Sequence, residues 1–214
     1  YVWQTVLRMI GFTHVSSRTD YSSIGVLFKE LFLVAVLPGV CEEIAHRGLI
    51  RAGYKESKSW YVVVSALLFS LMHQNIVQTG YTFFFGATLA LITYYTGSIW
   101  GGILIHFANN AFSVFSEYVS QNGGVFDFIN KISDWVYSSN LGFAVAAGVV
   151  VLCACLLVLF FFLMRKDAVK KERISDTPFD SGDLAKGYVD VPFLLTLAVG
   201  VCATIFSFVW GMTR

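Results

Sequence analysis

The strongest constraint on this chain is a series of long apolar runs, each near the length needed to cross a bilayer. A spanning helix takes about 20 residues at a rise of about 1.5 Å per residue. The runs that meet or approach this length cover residues 24–50, 60–78, 79–96, 98–119, 141–164 and 191–210. We therefore expect an all-α polytopic membrane protein, a bundle of about six transmembrane helices preceded by the end of another helix at residues 1–12.

Composition points to the same class of protein. Hydrophobic residues make up 56% of the chain and charged residues 14%, whereas about 25% charged residues is typical of soluble domains. The net charge is +1, and no basic cluster of the kind that binds nucleic acid is present. Membrane lipids are the expected surroundings, and no nucleic-acid partner is expected.

The distribution of basic residues predicts how the chain is oriented. Arg51, Lys55 and Lys58 follow the first apolar run, and a second basic group lies in the charged segment 165–190. With six spans both groups fall on the same side of the membrane, and the positive-inside rule makes that side cytoplasmic. We expect a single membrane-embedded domain over residues 1–214, with a cytoplasmic loop at about 165–190.

The first apolar run contains ionisable side chains at Glu42, Glu43 and Arg47. Each such group costs about 2.5–3.5 kcal/mol near the bilayer centre, so it needs a partner, water or a function. Residues four apart share a helix face, so Glu43 can pair with Arg47, and Glu42 lies on the same face as His46. Mutual neutralisation of Glu43 and Arg47 and a chemical task for the acids both stay open at this point.

Two later runs each carry a histidine at a comparable depth. His73 lies four residues after Phe69 in the second run, and His106 lies four residues before Asn110 in the fourth. The helical rise puts Glu42 and His106 each about 13 Å from the cytoplasmic ends of their runs, with His73 somewhat deeper. We expect these side chains to meet in a cavity that opens toward the cytoplasm.

This set of side chains suits the hydrolysis of a peptide bond. A carboxylate and an imidazole, Glu42 and His73, can take a proton from water and make it the nucleophile. A second imidazole and a carboxamide, His106 and Asn110, can donate hydrogen bonds to the oxyanion that forms when an amide carbonyl is attacked.

Taken together, three motifs resemble those of a known family. They are Glu-Glu-x-x-x-Arg at 42–47, Phe-x-x-x-His at 69–73 and His-x-x-x-Asn at 106–110. The chain is similar over about residues 42–110 to the CAAX protease and bacteriocin-processing family, which includes the Ras-converting CAAX endopeptidase. Their joint occurrence, in order on three predicted spans, is far more specific than any one motif.

The resemblance implies an intramembrane endopeptidase and a role for each motif residue. Glu42 and His73 would activate water, and His106 and Asn110 would stabilise the oxyanion. The residues expected to support these catalytic ones are Glu43, His46, Arg47 and Phe69.

The resemblance leaves the substrate open and does not remove the alternatives. It implies a membrane-associated peptide or lipidated protein as partner, such as a prenylated CAAX tail or a bacteriocin or peptide precursor. A non-catalytic bacteriocin-immunity or scaffolding protein that binds a peptide or a partner helix is the main alternative. A transporter, in which intramembrane acids and histidines form a proton relay, is the other.

One departure from the family pattern bears on cofactors. The residue before the family's arginine is commonly Phe, whereas here it is His46. Glu42, His46, His73 and His106 could in principle supply ligands to Zn²⁺ in tetrahedral geometry. The resemblance implies metal-free glutamate chemistry, so the expected cofactor is none, with zinc as the alternative.

Overall fold

The protein is helical throughout the part of the chain that the computed structural model describes, residues 2–13, 19–53, 58–124, 127–172, 174 and 191–212. The helices are α1 (Val2–Met9), α2 (Ile24–Ile50, continued by a turn at Arg51–Gly53), α3 (Lys58–Met72), α4 (Ile76–Thr96), α5 (Trp100–Asn122), α6 (Asp127–Ser138), α7 (Asn140–Lys170) and α8 (Val191–Met212). The predicted all-α class is confirmed.

The predicted membrane spans correspond to helices of this structure. Helices α2, α4 and α7 and the Leu194–Met212 part of α8 are long and apolar enough to cross a membrane. Helix α3 contains a shorter apolar helix, Trp60–Met72, and α5 has 23 residues. In the most apolar window of α7, 0% of the residues are buried inside the protein, as expected for a helix surrounded by lipid.

Local side-chain chemistry explains several helix boundaries. The side chains of Ser23, Asn75 and Ser139 each accept a backbone N–H from the first turn of the helix that follows. Such N-caps satisfy donors that have no partner within the helix. Gly97 ends α4 at φ 74°, a left-handed conformation that glycine adopts without steric cost.

Helix α2 contains two widened, π-helical turns, at Leu31–Val36 and Ile44–Ile50. Pro38 gives a physical reason for the first, because a prolyl ring lacks an N–H and clashes with the carbonyl four residues earlier, here that of Val34. Widened turns within α-helices are frequent at functional sites. The second widened turn contains His46 and Arg47, two of the residues expected to support catalysis.

The described helices belong to two compact units. Unit A comprises Tyr1–Arg18, Cys41–Gly102 and Thr177–Arg214, and unit B comprises Thr19–Val40 and Ile103–Asp176. Helices α2 and α5 each contribute residues to both units.

In unit A, α3 and α4 pack closely because Gly86 has no side chain where they meet. A Cβ on Gly86 would lie 3.1 Å from Cδ1 of Phe69 and 3.2 Å from Cα of Ala66. Thr13 ties the N-terminal segment to α8, since its N–H and its hydroxyl each donate to the Gly211 carbonyl at 3.0 Å. A small apolar core covers this region: Leu7, Phe12 and Val77.

In unit B, the start of α2 packs against the second half of α5. Gln121 of α5 holds the segment before α2, because its Oε1 accepts the N–H of Tyr21 at 3.2 Å and its Nε2 donates to the Thr19 carbonyl at 2.8 Å. The buried core of this region consists of Tyr21, Leu27 and Val114.

The structure corrects the expected second span, which was to run over residues 60–78 with His73 inside it. Helix α3 ends at Met72, and His73 lies in the turn before α4. Gln74 has φ 49°, a left-handed conformation that a helix interior does not contain. Asn75 then caps α4. These two polar residues stop one helix and start the next within an otherwise apolar stretch.

The predicted loop after the fifth span begins later than expected. Helix α7 continues to Lys170, so the loop expected over residues 165–190 does not start at residue 165. Lys171 pairs with Asp167 at 2.9 Å, and basic residues are favourable at the C-terminal end of a helix. Most of the predicted loop, residues 175–190, lies outside the described residues, and its cytoplasmic placement stays a prediction.

We expect Gly86→Ala to destabilise the protein by about 1–3 kcal/mol, the usual cost of overpacking, because the added methyl meets the backbone of α3. The midpoint of thermal unfolding in detergent measures this. Gly148→Ala on α7 is the matched control, since no heavy atom lies within 4 Å of a Cβ there and alanine is the better helix former. Equal midpoints for the two variants would contradict the close α3–α4 contact.

Candidate active site

Glu43 and Arg47 form a buried ion pair in unit A. Nη1 of Arg47 donates to Oε1 of Glu43 at 2.8 Å, and both side chains are 0% exposed. This is the pair that the four-residue spacing predicts. It neutralises two of the three charges at Glu42, Glu43 and Arg47.

Arg47 also connects α2 to α3 and α4. Its Nη2 donates to the carbonyl of Gly86 at 2.8 Å, and its Cζ lies 4.6 Å from the centroid of the Phe69 ring. A Cβ on Gly102 would lie 2.6 Å from Oε2 of Glu43, so the start of α5 approaches the carboxylate closely. The sequence carries no signal for these contacts, because each joins residues far apart in the chain.

Phe69 lies between two imidazole rings. The His46 ring meets it edge-on at a centroid distance of 5.3 Å, and the His73 ring does so at 5.1 Å. Phe69 and His46 are each 1% exposed. With Arg47 over its face, Phe69 is the centre of one cluster that contains His46 and His73.

The two histidines use the same ring nitrogen for the same kind of bond. Nδ1 of His46 lies 2.8 Å from the Glu42 carbonyl oxygen, and Nδ1 of His73 lies 2.7 Å from the Phe69 carbonyl oxygen. Because a carbonyl can only accept, Nδ1 carries the hydrogen in each ring. In the neutral imidazole, Nε2 is then the nitrogen that can take up a proton.

Glu42 and Glu43 differ in their exposure to solvent. The Glu42 side chain is partly exposed, whereas Glu43 beside it is buried. A water molecule can therefore reach Glu42 more easily than Glu43.

A cavity of about 300 Å³ lies between α3 and α8 in unit A. Met72 and Gln74, which flank His73 in the sequence, line it. Most of the remaining wall is apolar: Leu68, Leu71, Leu195 and Val199.

The other two predicted catalytic residues lie in unit B, one helical turn apart on α5. His106 is 2% exposed. Asn110 donates from Nδ2 to the Val34 carbonyl at 3.0 Å, and its Oδ1 accepts from Nδ2 of Asn109 at 3.1 Å. The structure thus groups Glu42 with His73 in one unit and His106 with Asn110 in the other. That the two groups meet stays a prediction.

The side chains considered for zinc lie in two units, with Glu42, His46 and His73 in unit A and His106 in unit B. In the described part of the chain, no three His, Cys, Asp or Glu residues are grouped so that they could hold a metal ion. His46 and His73 each have Nδ1 on a backbone carbonyl. That the protein uses no metal stays a prediction.

Fold and site together define a polytopic helical membrane protein with a buried cluster of acid, base and guanidinium groups. Residues 25–112 match the model of a family described as type II CAAX prenyl endopeptidase Rce1-like, and all three motifs fall inside this range. The matched segment, which is less than half of the chain, is thus similar to this family of CAAX proteases. Neither a curated protein nor a solved structure matches the chain.

Arg47→Leu should destabilise the protein by about 3–5 kcal/mol, because it leaves the buried Glu43 charge without its cation. The double variant Glu43→Leu/Arg47→Leu removes both charges and should recover part of this loss. Unfolding midpoints in detergent report both effects. The exposed pair Lys131–Asp127, at 3.6 Å, is the control, since Lys131→Ala should cost about 0–1 kcal/mol. A similar loss for Lys131→Ala and Arg47→Leu would refute the importance of the buried pair.

Proposed function

We propose that this protein is an intramembrane endopeptidase that cleaves a peptide bond in a membrane-associated peptide or lipidated protein. The observation that carries the proposal is that all three motifs lie inside the segment that matches the protease family. The buried cluster of unit A supports it, because the cluster holds an acid and two imidazoles whose proton-accepting nitrogen is set by their hydrogen bonds.

In the proposed mechanism, Glu42 is the general base and His73 assists it. A water oxygen attacks the carbonyl carbon of the scissile bond while its proton passes to Glu42. His73 assists by accepting a hydrogen bond from the same water at Nε2, since its Nδ1 donates to the Phe69 carbonyl. When the tetrahedral intermediate collapses, the C–N bond breaks and the proton goes to the leaving amine.

His106 and Asn110 are assigned to the oxyanion of that intermediate. Donors placed in a water-poor site stabilise such a charge strongly, and the loss of one donor typically costs about 10²–10³ in kcat. An asparagine amide has two N–H hydrogens, so Asn110 can bond Val34 with one and the oxyanion with the other. Glu43 and Arg47 hold in place the part of α2 that carries Glu42.

The substrate assignment follows the family and the membrane setting. A prenylated CAAX tail and a bacteriocin or peptide precursor are both substrates of the proposed class. We propose that the site opens on the cytoplasmic side, as the positive-inside rule predicts. A non-catalytic immunity or scaffolding protein would bind the same kinds of peptide and leave them intact.

We expect Glu42→Gln to lower kcat by about 10²–10⁴, the usual contribution of a general base, while the protein stays folded. The assay is cleavage of pooled prenylated and unmodified membrane peptides by purified protein in detergent, with folding checked by gel filtration and thermal unfolding. Glu117→Gln is the control, an acid on α5 outside the proposed set. Cleavage by Glu42→Gln at the wild-type rate would refute the assignment. Peptide binding without cleavage by any variant would favour the scaffolding alternative.

Removal of divalent metals should leave the cleavage rate unchanged, because the proposed chemistry uses a carboxylate and imidazoles alone. The test is the same assay after dialysis against 1,10-phenanthroline, followed by addition of Zn²⁺. Loss of activity that Zn²⁺ restores in the wild type but not in His46→Phe would contradict metal-free chemistry and implicate His46 as a ligand.

A further inference from the structure

We infer that Asn110 is also a positioning residue. It supplies to the Val34 carbonyl the hydrogen that Pro38 lacks, and so holds the turn of α5 that carries His106 against the Pro38–Gly39 step of α2. The catalytic consequence rests on the proposed function, whereas the contact itself does not.

The first observation concerns the carbonyl of Val34. Val34 lies in the widened turn Leu31–Val36, and in a regular α-helix its carbonyl would accept from the residue four positions later, which is Pro38. Proline has no N–H, and its ring pushes against that carbonyl. Within a bilayer no water can replace the missing donor, so a neighbouring side chain has to do so. Nδ2 of Asn110, 76 positions further along the chain, lies 3.0 Å from this oxygen.

The second observation is a close backbone contact one turn away. A Cβ on Gly39 would lie 3.2 Å from the backbone nitrogen of Phe107 and 3.4 Å from its Cα. The absence of a side chain at Gly39 therefore lets the backbones of α2 and α5 touch, as small residues do between membrane helices. Phe107 directly follows His106, so this contact and the Asn110 bond hold the same turn of α5.

The third observation is the orientation of the Asn110 amide. Asn109 donates from Nδ2 to Oδ1 of Asn110 at 3.1 Å. This bond is satisfied only when Oδ1 faces Asn109 and Nδ2 faces Val34. One hydrogen on Nδ2 is then committed to Val34, and the direction of the second, which we assign to the oxyanion, follows from the planar amide.

A double-mutant cycle between Pro38 and Asn110 tests the inference. Pro38→Ala introduces an N–H four residues after Val34 and so provides a second donor for its carbonyl. We expect Asn110→Ala to lower the unfolding midpoint and kcat in the wild-type background. In the Pro38→Ala background the midpoint should fall much less and kcat about tenfold less, because only the loss of the oxyanion donor remains there. A coupling of about tenfold in kcat is typical of residues in one hydrogen-bond network.

Asn122→Ala is the matched control for this cycle. Asn122 lies on the same helix and also donates from Nδ2 to a backbone carbonyl near the start of α2, that of Tyr21, at 3.3 Å. It has no proline in its contact. Its effect should therefore be the same with and without Pro38→Ala.

Each outcome decides the inference. Equal losses of stability for Asn110→Ala in both backgrounds would refute the bond as a support for α5. Coupling in the unfolding midpoint without recovery of kcat would show that the bond is only structural, and would overturn the positioning role. If no variant cleaves any peptide, the proposed function fails while the midpoints still decide whether Asn110 takes the place of the missing donor.

Discussion

The structure depends on one constraint of the membrane interior, namely that every buried charge and polar backbone group must find its partner within the protein. Arg47 meets this constraint with the Glu43 carboxylate, the Gly86 carbonyl and the face of the Phe69 ring. These contacts join α2 to α3 and α4. Because lipid is as apolar as the side chains between helices, polar contacts and close packing are what hold such helices together.

The same constraint explains where the residues of the proposed chemistry lie. His46, His73 and Asn110 each donate to a backbone carbonyl at a point where regular helix geometry fails. For His46 this point is a widened turn, for His73 a helix end, and for Asn110 a proline. The side chains proposed to act on a substrate thus also donate hydrogen bonds to backbone carbonyls. The bond at Nδ1 selects the tautomer that leaves Nε2 as the base.

The features that could be predicted from the sequence are those that depend on short spacings between residues along the chain. The apolar runs predicted the helices, and the four-residue spacing predicted the pair between Glu43 and Arg47. The position of His73 inside a helix was predicted wrongly. The apolar residues continue on both sides of it, so hydropathy gives no sign that one helix ends at Met72 and that Asn75 caps the next. The bond from Arg47 to Gly86 spans 39 positions, and no periodicity in the sequence reports such a distance.

The adjacent acids Glu42 and Glu43 differ in burial and in their partners. With Arg47, the two carboxylates sum to one negative charge, and the short bond from Arg47 to Glu43 assigns the compensation to Glu43. Glu43 is fully buried, so its charge is tolerable only with that partner. Glu42 is partly exposed, so a water molecule can contact its side chain. This difference in exposure is the reason why we propose Glu42, and not Glu43, as the general base.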